Sequence, residues 1–177
     1  MTDVRPSPAA QTRAPVTPKQ AGIGAVALLA LSLVVTAIKP DEGKVNVATR
    51  DFAQGVPTEC FGHTAPDVKL GERKTDGQCD VLLTADVRST IAAVSACTPT
   101  IADRPQQLAA ATRLAFNVGP AAYCHSDSAS AFKRGDWRGG CDLMLAWDKA
   151  RVGGKLASVP GLAARRQRER TMCLARV

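Results

Sequence analysis

Aromatic side chains are scarce in this chain: four Phe, two Trp and one Tyr among 177 residues. A strand-binding protein interleaves aromatics with its basic residues, and that arrangement is missing, so a nucleic-acid partner is not expected. Histidine is scarcer still. His63 and His125 follow Cys60 and Cys124 at spacings unsuited to a metal, and no C-x-x-C pair occurs. Neither a metal ion nor a cofactor is therefore expected. Charge is absent from residues 21–38, AGIGAVALLALSLVVTAI, and so is cysteine. A stretch apolar on every side does not read as the amphipathic helix of a soluble core.

What is present divides the chain into three parts. Residues 1–20 are rich in Pro, Thr, Ala and Gln and carry Arg5, Arg13 and Lys19 against the single acid Asp3. They read as a disordered basic tail on the cytoplasmic side. Residues 21–38 would reach about 27 Å as a helix, just enough for a bilayer core. Three readings stay open for this span: a membrane anchor, a signal peptide cleaved after Ala37, or a buried helix. The basic flank ahead of it favours a cytoplasmic N-terminus and an exported remainder. Gly22, Gly24, Ser32, Thr36 and several alanines dilute its hydrophobicity and lower the cost of leaving lipid. Residues 39–177 then form the functional body.

The body is basic, with the whole chain at net charge +7, which suits an anionic partner such as a cell wall or a phospholipid surface. Its cysteines, at 60, 79, 97, 124, 141 and 173, all follow the apolar span. An even set beyond an export segment points to disulfides formed in an oxidising compartment; six thiols allow 15 pairings. Pro40 and Asp41 are expected to open a helix containing Glu42, and the interrupted pattern from Gly55 to Arg73 predicts short strands and turns. Thr75 to Gln78 has capping-box spacing ahead of Cys79, Leu82, Leu83, Val87, Ile91 and Val94, which predicts a helix. Another begins at Asp103-Arg104-Pro105 and stops before Gly119, and a last one runs from Pro160 to Cys173. Trp137 and Trp147 read as core residues. Arg165, Arg166, Arg168 and Arg170 read either as a solvated face or as a patch for anionic wall or lipid.

Glu42, Asp51 and Thr58 are the candidate site. Cleaving a glycosidic bond with inversion takes an acid on the leaving oxygen and a base on water, from carboxyls roughly 6.5–9.5 Å apart. The surrounding letters read Glu42-Gly43, Ala48-Thr49-Arg50-Asp51, Gly55-Val56-Pro57-Thr58-Glu59-Cys60 and Gly62-His63-Thr64. Further on stand Ala115-Phe116-Asn117-Val118-Gly119, Tyr123-Cys124, Gly135-Asp136-Trp137, Gly139-Gly140-Cys141, and Gly161-Leu162 before Arg165-Arg166 and Glu169. This pattern resembles the bacteriophage-type lysozymes, and the weak apolar span resembles the signal-anchor-release segment of certain endolysins. The likeness covers residues 42–174. Thr49 stands where that family usually has tyrosine, and one extra residue separates Asp51 from Gly55.

The resemblance implies an α+β lysozyme-like fold, with a small β-hairpin lobe beside a mainly helical lobe and an N-terminal apolar helix ahead of them. It also implies hydrolysis of the β-1,4 bond between N-acetylmuramic acid and N-acetylglucosamine of peptidoglycan. Glu42 would be the general acid, Asp51 the carboxylate that activates water, and Thr58 the residue that helps hold that water. The implied partners are peptidoglycan and, through residues 21–38, the inner membrane before release to the periplasm; the protein is expected to be a monomer. Two other readings remain beside this one: a lytic transglycosylase, which needs an acid but no water-activating base, and a membrane-tethered binding protein with an impaired site. Glu59 alternates with Thr58 and should face the other way. His63 reads as structural.

Overall fold

Residues 18–50, 55–66, 68–152 and 154–175 are described by a computed structural model; Asp51 and the N-terminal tail before Pro18 lie outside them. A single helix, α1 (Pro18–Glu42), takes in the apolar span and runs on to Glu42. Pro40 and Asp41 therefore do not open a new helix. Pro40 forgoes its own i→i−4 bond, but only Asp41 and Glu42 follow it in the helix, so almost no helix lies beyond the break it would cause. Gly43, at φ +67°, then closes the helix in the left-handed conformation that glycine adopts without strain. By length and mean hydropathy, 1.6, the stretch Gly24–Glu42 can cross a membrane. Here it packs on the body: Ala30, Val34 and Ile38 are fully buried on one side, while Leu28 and Leu29 face outward.

Strands β1 (Val45–Arg50) and β2 (Pro57–Cys60) pair antiparallel, with Thr49 opposite Thr58 and Arg50 opposite Pro57. A tight turn follows, in which the backbones of Glu59 and His63 bond reciprocally at 3.0 and 2.9 Å. This hairpin with its turn makes the small lobe.

Helix α2 (Asp76–Cys97) starts as its sequence predicts. Thr75 Oγ1 accepts from the Gln78 amide and the Gln78 side chain accepts from the Thr75 amide. Helix α3 (Pro105–Val118) begins with proline at its first turn and passes through the centre of the large lobe. Ala109, Ala110, Ala111 and Ala115 on it are completely buried, and these short side chains let the neighbouring helices approach closely in a core with few rings. Short helices α4 (Pro120–Cys124), α5 (Asp127–Lys133) and α6 (Trp137–Asp142) surround it. A hairpin of β3 (Lys149–Val152) and β4 (Lys155–Ser158) follows, and α7 (Pro160–Leu174) returns along α3. The second hairpin is an addition to the predicted elements. Trp137 and Trp147 pack partly buried against the core, with the Arg104 guanidinium 4.1 Å above the Trp137 ring.

Three disulfides, Cys60–Cys79, Cys97–Cys124 and Cys141–Cys173, tie the turn of the small lobe to α2, α2 to α4, and α6 to α7. They span 19, 27 and 32 residues. On a chain-entropy argument each contributes roughly 3–4 kcal/mol by restricting the unfolded chain.

Candidate active site

Where α1 ends, the small lobe and the last turn of α3 enclose a cleft of about 300 Å³ lined by Glu42, Val56, Thr58, Gly62, Thr64, Phe116 and Asn117. A larger concavity, about 780 Å³, lies between α1 and α2, but its lining is apolar apart from Arg88 and Ser95, and it holds no carboxylate. The smaller cleft is the one with the chemistry. It brings together Glu42 and Thr58, two of the three predicted site residues, from a helix terminus and a strand. The third, Asp51, follows Arg50 directly but lies outside the described residues.

Each wall has a local cause. Thr58 points into the cleft from β2, and its hydroxyl donates to the Val56 carbonyl at 3.1 Å, so the oxygen keeps lone pairs for a donor such as water. Glu59, next along the strand, turns inward and is buried, with Lys74 Nζ at 3.9 Å. Gly62, at φ +86°, brings backbone against the acid: a side-chain carbon added there would lie 4.0 Å from Glu42 Oε2. His63 is not on the cleft wall; its Nδ1 meets Asp86 Oδ2 at 2.8 Å and ties the turn to α2.

Behind Glu42 lies a cluster of arginines and carboxylates. Arg165 Nη2 donates to Glu42 Oε1, and the Arg165 Nε lies 3.5 Å from Glu169 Oε1 and 3.9 Å from Asp41 Oδ2. Arg113 Nη2 donates to Asp41 Oδ2, and Arg168 Nη2 to Asp41 Oδ1 at 2.7 Å. Arg166 grips Glu169 with two contacts of 2.8 Å. Burial alone would raise the Asp41 carboxyl; the hydrogen bonds from Arg113 and Arg168 outweigh it and hold the group below its ordinary range. At Glu169 burial wins and pushes the carboxyl upward, against the pull of Arg166, Arg113 and Arg165. Burial likewise lowers Arg166.

These contacts correct one expectation. Arg165 and Arg166 are buried, Arg168 bonds Asp41, and Arg170 bonds Asp142 at 2.6 Å. Arg165 and Arg166 therefore belong to the buried cluster and to no surface patch, whereas Arg168, half exposed, and Arg170 reach carboxylates while keeping contact with solvent. Asp41 and Glu42, bonded by Arg168 and Arg165, are more than 100 residues away in sequence, which is why spacing along α7 could not reveal them. Asn117 is a second omission. It belongs to the Ala115–Gly119 motif, yet only the fold shows that the last turn of α3 faces the cleft.

A helix-borne glutamate and a strand-borne threonine lining one cleft between a hairpin lobe and a helical lobe is the arrangement of a lysozyme-like fold. The chain belongs to the phage lysozyme family, whose profile, described as "Phage lysozyme", matches residues 39–169. It is similar to the SAR-endolysin of Enterobacteria phage P21, 32% identical over 158 residues that make up 87% of this chain and 92% of that protein. Among solved structures it resembles the endolysin from Escherichia coli O157:H7 phage FAHEc1, with a TM-score of 0.65 at 26% identity, covering 95% of this chain and 98% of that one. It also resembles the muramidase domain of SpmX from Asticcacaulis excentricus, with a TM-score of 0.71 at 26% identity, covering 92% and 99%.

Proposed function

We propose that this protein is an endolysin that hydrolyses the β-1,4 bond between N-acetylmuramic acid and N-acetylglucosamine in peptidoglycan and so lyses the host cell. The observation that carries the reading is that Glu42, from a helix end, and Thr58, from a strand, line the same polar cleft. Glu42 protonates the leaving glycosidic oxygen, Asp51 activates a water on the other face of the sugar, and Thr58 helps hold that water through its free lone pairs. Arg165 orients Glu42 while leaving its Oε2 toward Gly62 and the cleft. Membership of the phage lysozyme family and the endolysin relatives support the substrate class.

The span of residues 21–38 serves as the inner-membrane anchor, with the N-terminus in the cytoplasm and residues 39–177 in the periplasm. Support comes from the double use of α1: Ala30, Val34 and Ile38 are buried against the body, and a segment cannot be packed there and immersed in lipid together. Glu42 lies at the end of the same helix. While the span is in lipid the acid is held at the membrane interface and the cleft is incomplete; release lets α1 dock and completes it.

Turbidity loss of permeabilised Gram-negative cells tests the enzyme. Glu42→Gln should lower the rate by about 10²–10⁴ while the protein stays folded. Digestion at the parent's speed by that variant would refute the role of Glu42. Ordinary reducing ends in the product are expected; anhydro-muramoyl ends would assign the protein to the lytic transglycosylases instead.

A further inference from the structure

Two adjacent carboxylates at the C-terminal end of a helix are electrostatically misplaced, because that end already carries partial negative charge. Asp41 and Glu42 hold this position on α1, whose last turn offers only Lys39 as compensation, and Lys39 is paired with Asp80 at 2.8 Å. Their compensation comes from elsewhere: Arg113 of α3 and Arg165 and Arg168 of α7. The distribution is uneven. Asp41 receives hydrogen bonds from Arg113 and Arg168 and lies 3.9 Å from Arg165, whereas Glu42 receives one from Arg165 alone. Asp41 is also the less exposed of the two, 7% against 21%.

We infer that Asp41 is a positioning residue for the proposed reaction: it takes up the charge of Arg113 and Arg168 and shares Arg165, so that Glu42 is oriented by a single guanidinium and is free to exchange its proton with substrate. Glu42 has to deliver a proton, and a carboxyl surrounded by several arginines gives up its ionised form reluctantly. Arg113 is 3% exposed, and the carboxylate it contacts is Asp41. Without that charge Arg113 and Arg168 lose the carboxylate they bond, and Arg165, 3.9 Å from Asp41 Oδ2, directs its charge to the carboxylates left to it, Glu42 and Glu169. Glu42 itself meets Arg165 and, on the hairpin turn, Gly62; Asp41 meets Arg113 of α3 and Arg165 and Arg168 of α7; Glu169 lies beyond Arg165 and is held by Arg166, and His63, next to Gly62, is engaged by Asp86. The inference rests on the reading of Glu42 as the acid.

The test uses the full oxidised chain acting on soluble murein glycan fragments. Asp41→Asn should lower kcat about tenfold, equivalent to about 1.4 kcal/mol, with KM changed less than about twofold. The alkaline limb of its kcat profile should move to lower pH, and Asp41→Glu should restore most of the rate. Arg168→Gln, at a half-exposed position, removes positive charge and should move the same limb the opposite way. An Asp41→Asn enzyme with the parent's kcat and pH profile overturns the inference, as does a loss of activity with no shift of the limb in either variant. If Asp41→Asn does not fold, Arg168→Gln alone decides, and an unmoved limb overturns the inference. Glu42→Gln in the same assay separates the two claims, because full activity there removes the acid itself from the reading.

Discussion

The imidazole of His63 donates from Nδ1 to Asp86 at 2.8 Å, and this contact joins the turn that closes the small lobe to the middle of α2. Both side chains are largely buried, at 17% and 31% exposure. The same turn presents Gly62 and Thr64 to the cleft, so a contact outside the cleft sets the position of one of its walls.

Asp86→Asn should therefore cost about 1.5–3 kcal/mol, a fall in Tm of roughly 3–12 °C for a chain of this size. Adding His63→Ala should lower Tm little further, since the two residues act as one interaction. Thermal unfolding of the two single variants and the double one measures this, and fully additive losses would contradict it.

The three disulfides should differ in effect. Replacing Cys97 and Cys124 by serine removes a link within the helical lobe and should lower stability by roughly 3 kcal/mol while leaving the turnover of folded protein unchanged. Replacing Cys60 and Cys79 releases the turn that carries Gly62 and should lower both stability and turnover. Activity compared at a temperature where both variants are folded distinguishes the two cases.

Acid stability should report on Asp41. Its carboxyl is held below the ordinary value of 3.8, so the folded state binds fewer protons than the unfolded chain. The stabilisation is complete above the unfolded value, roughly pH 4, and is lost as pH falls through the lower folded value. Denaturant midpoints between about pH 5 and pH 2 should fall less steeply for Asp41→Asn than for the parent.

The double role proposed for α1 can be separated by two substitutions. Leu28 is 58% exposed in the packed structure, whereas Val34 is fully buried. Leu28→Asn should weaken retention in the membrane and leave the released enzyme close to the parent in stability. Val34→Asn should weaken both, with a loss of about 1–3 kcal/mol from an unpaired buried amide. Fractionation and unfolding of each variant test the pair, and equal loss of stability would contradict the assignment of the two faces.

Much of this architecture was legible from local patterns. Thr75 and Gln78 marked the start of α2 and Pro105 that of α3, because caps and first-turn prolines act through atoms a few residues apart. Glu42 and Thr58 were legible through the motif around them. The continuity of α1 was not, since Pro40 reads as a break unless it is known to fall at the helix end. The β3–β4 hairpin has a local signal of its own: the sequence places Gly153-Gly154 between Val152 and Lys155, which pair with each other. In the arginine cluster only the pairing of Arg165 and Arg166 with Glu169 falls at helical spacing; Asp41 and Glu42 come from the other end of the body, where no local pattern points to them.

All three sulfur bridges begin at Cys60 or beyond, so nothing covalent fastens α1 to the rest except the backbone itself. The remainder of the molecule can thus be fully cross-linked and waiting before its first helix arrives. On the release proposed above, no thiol exchange is required between storage and use: what changes is the solvent of one helix, from lipid to the rest of its own chain.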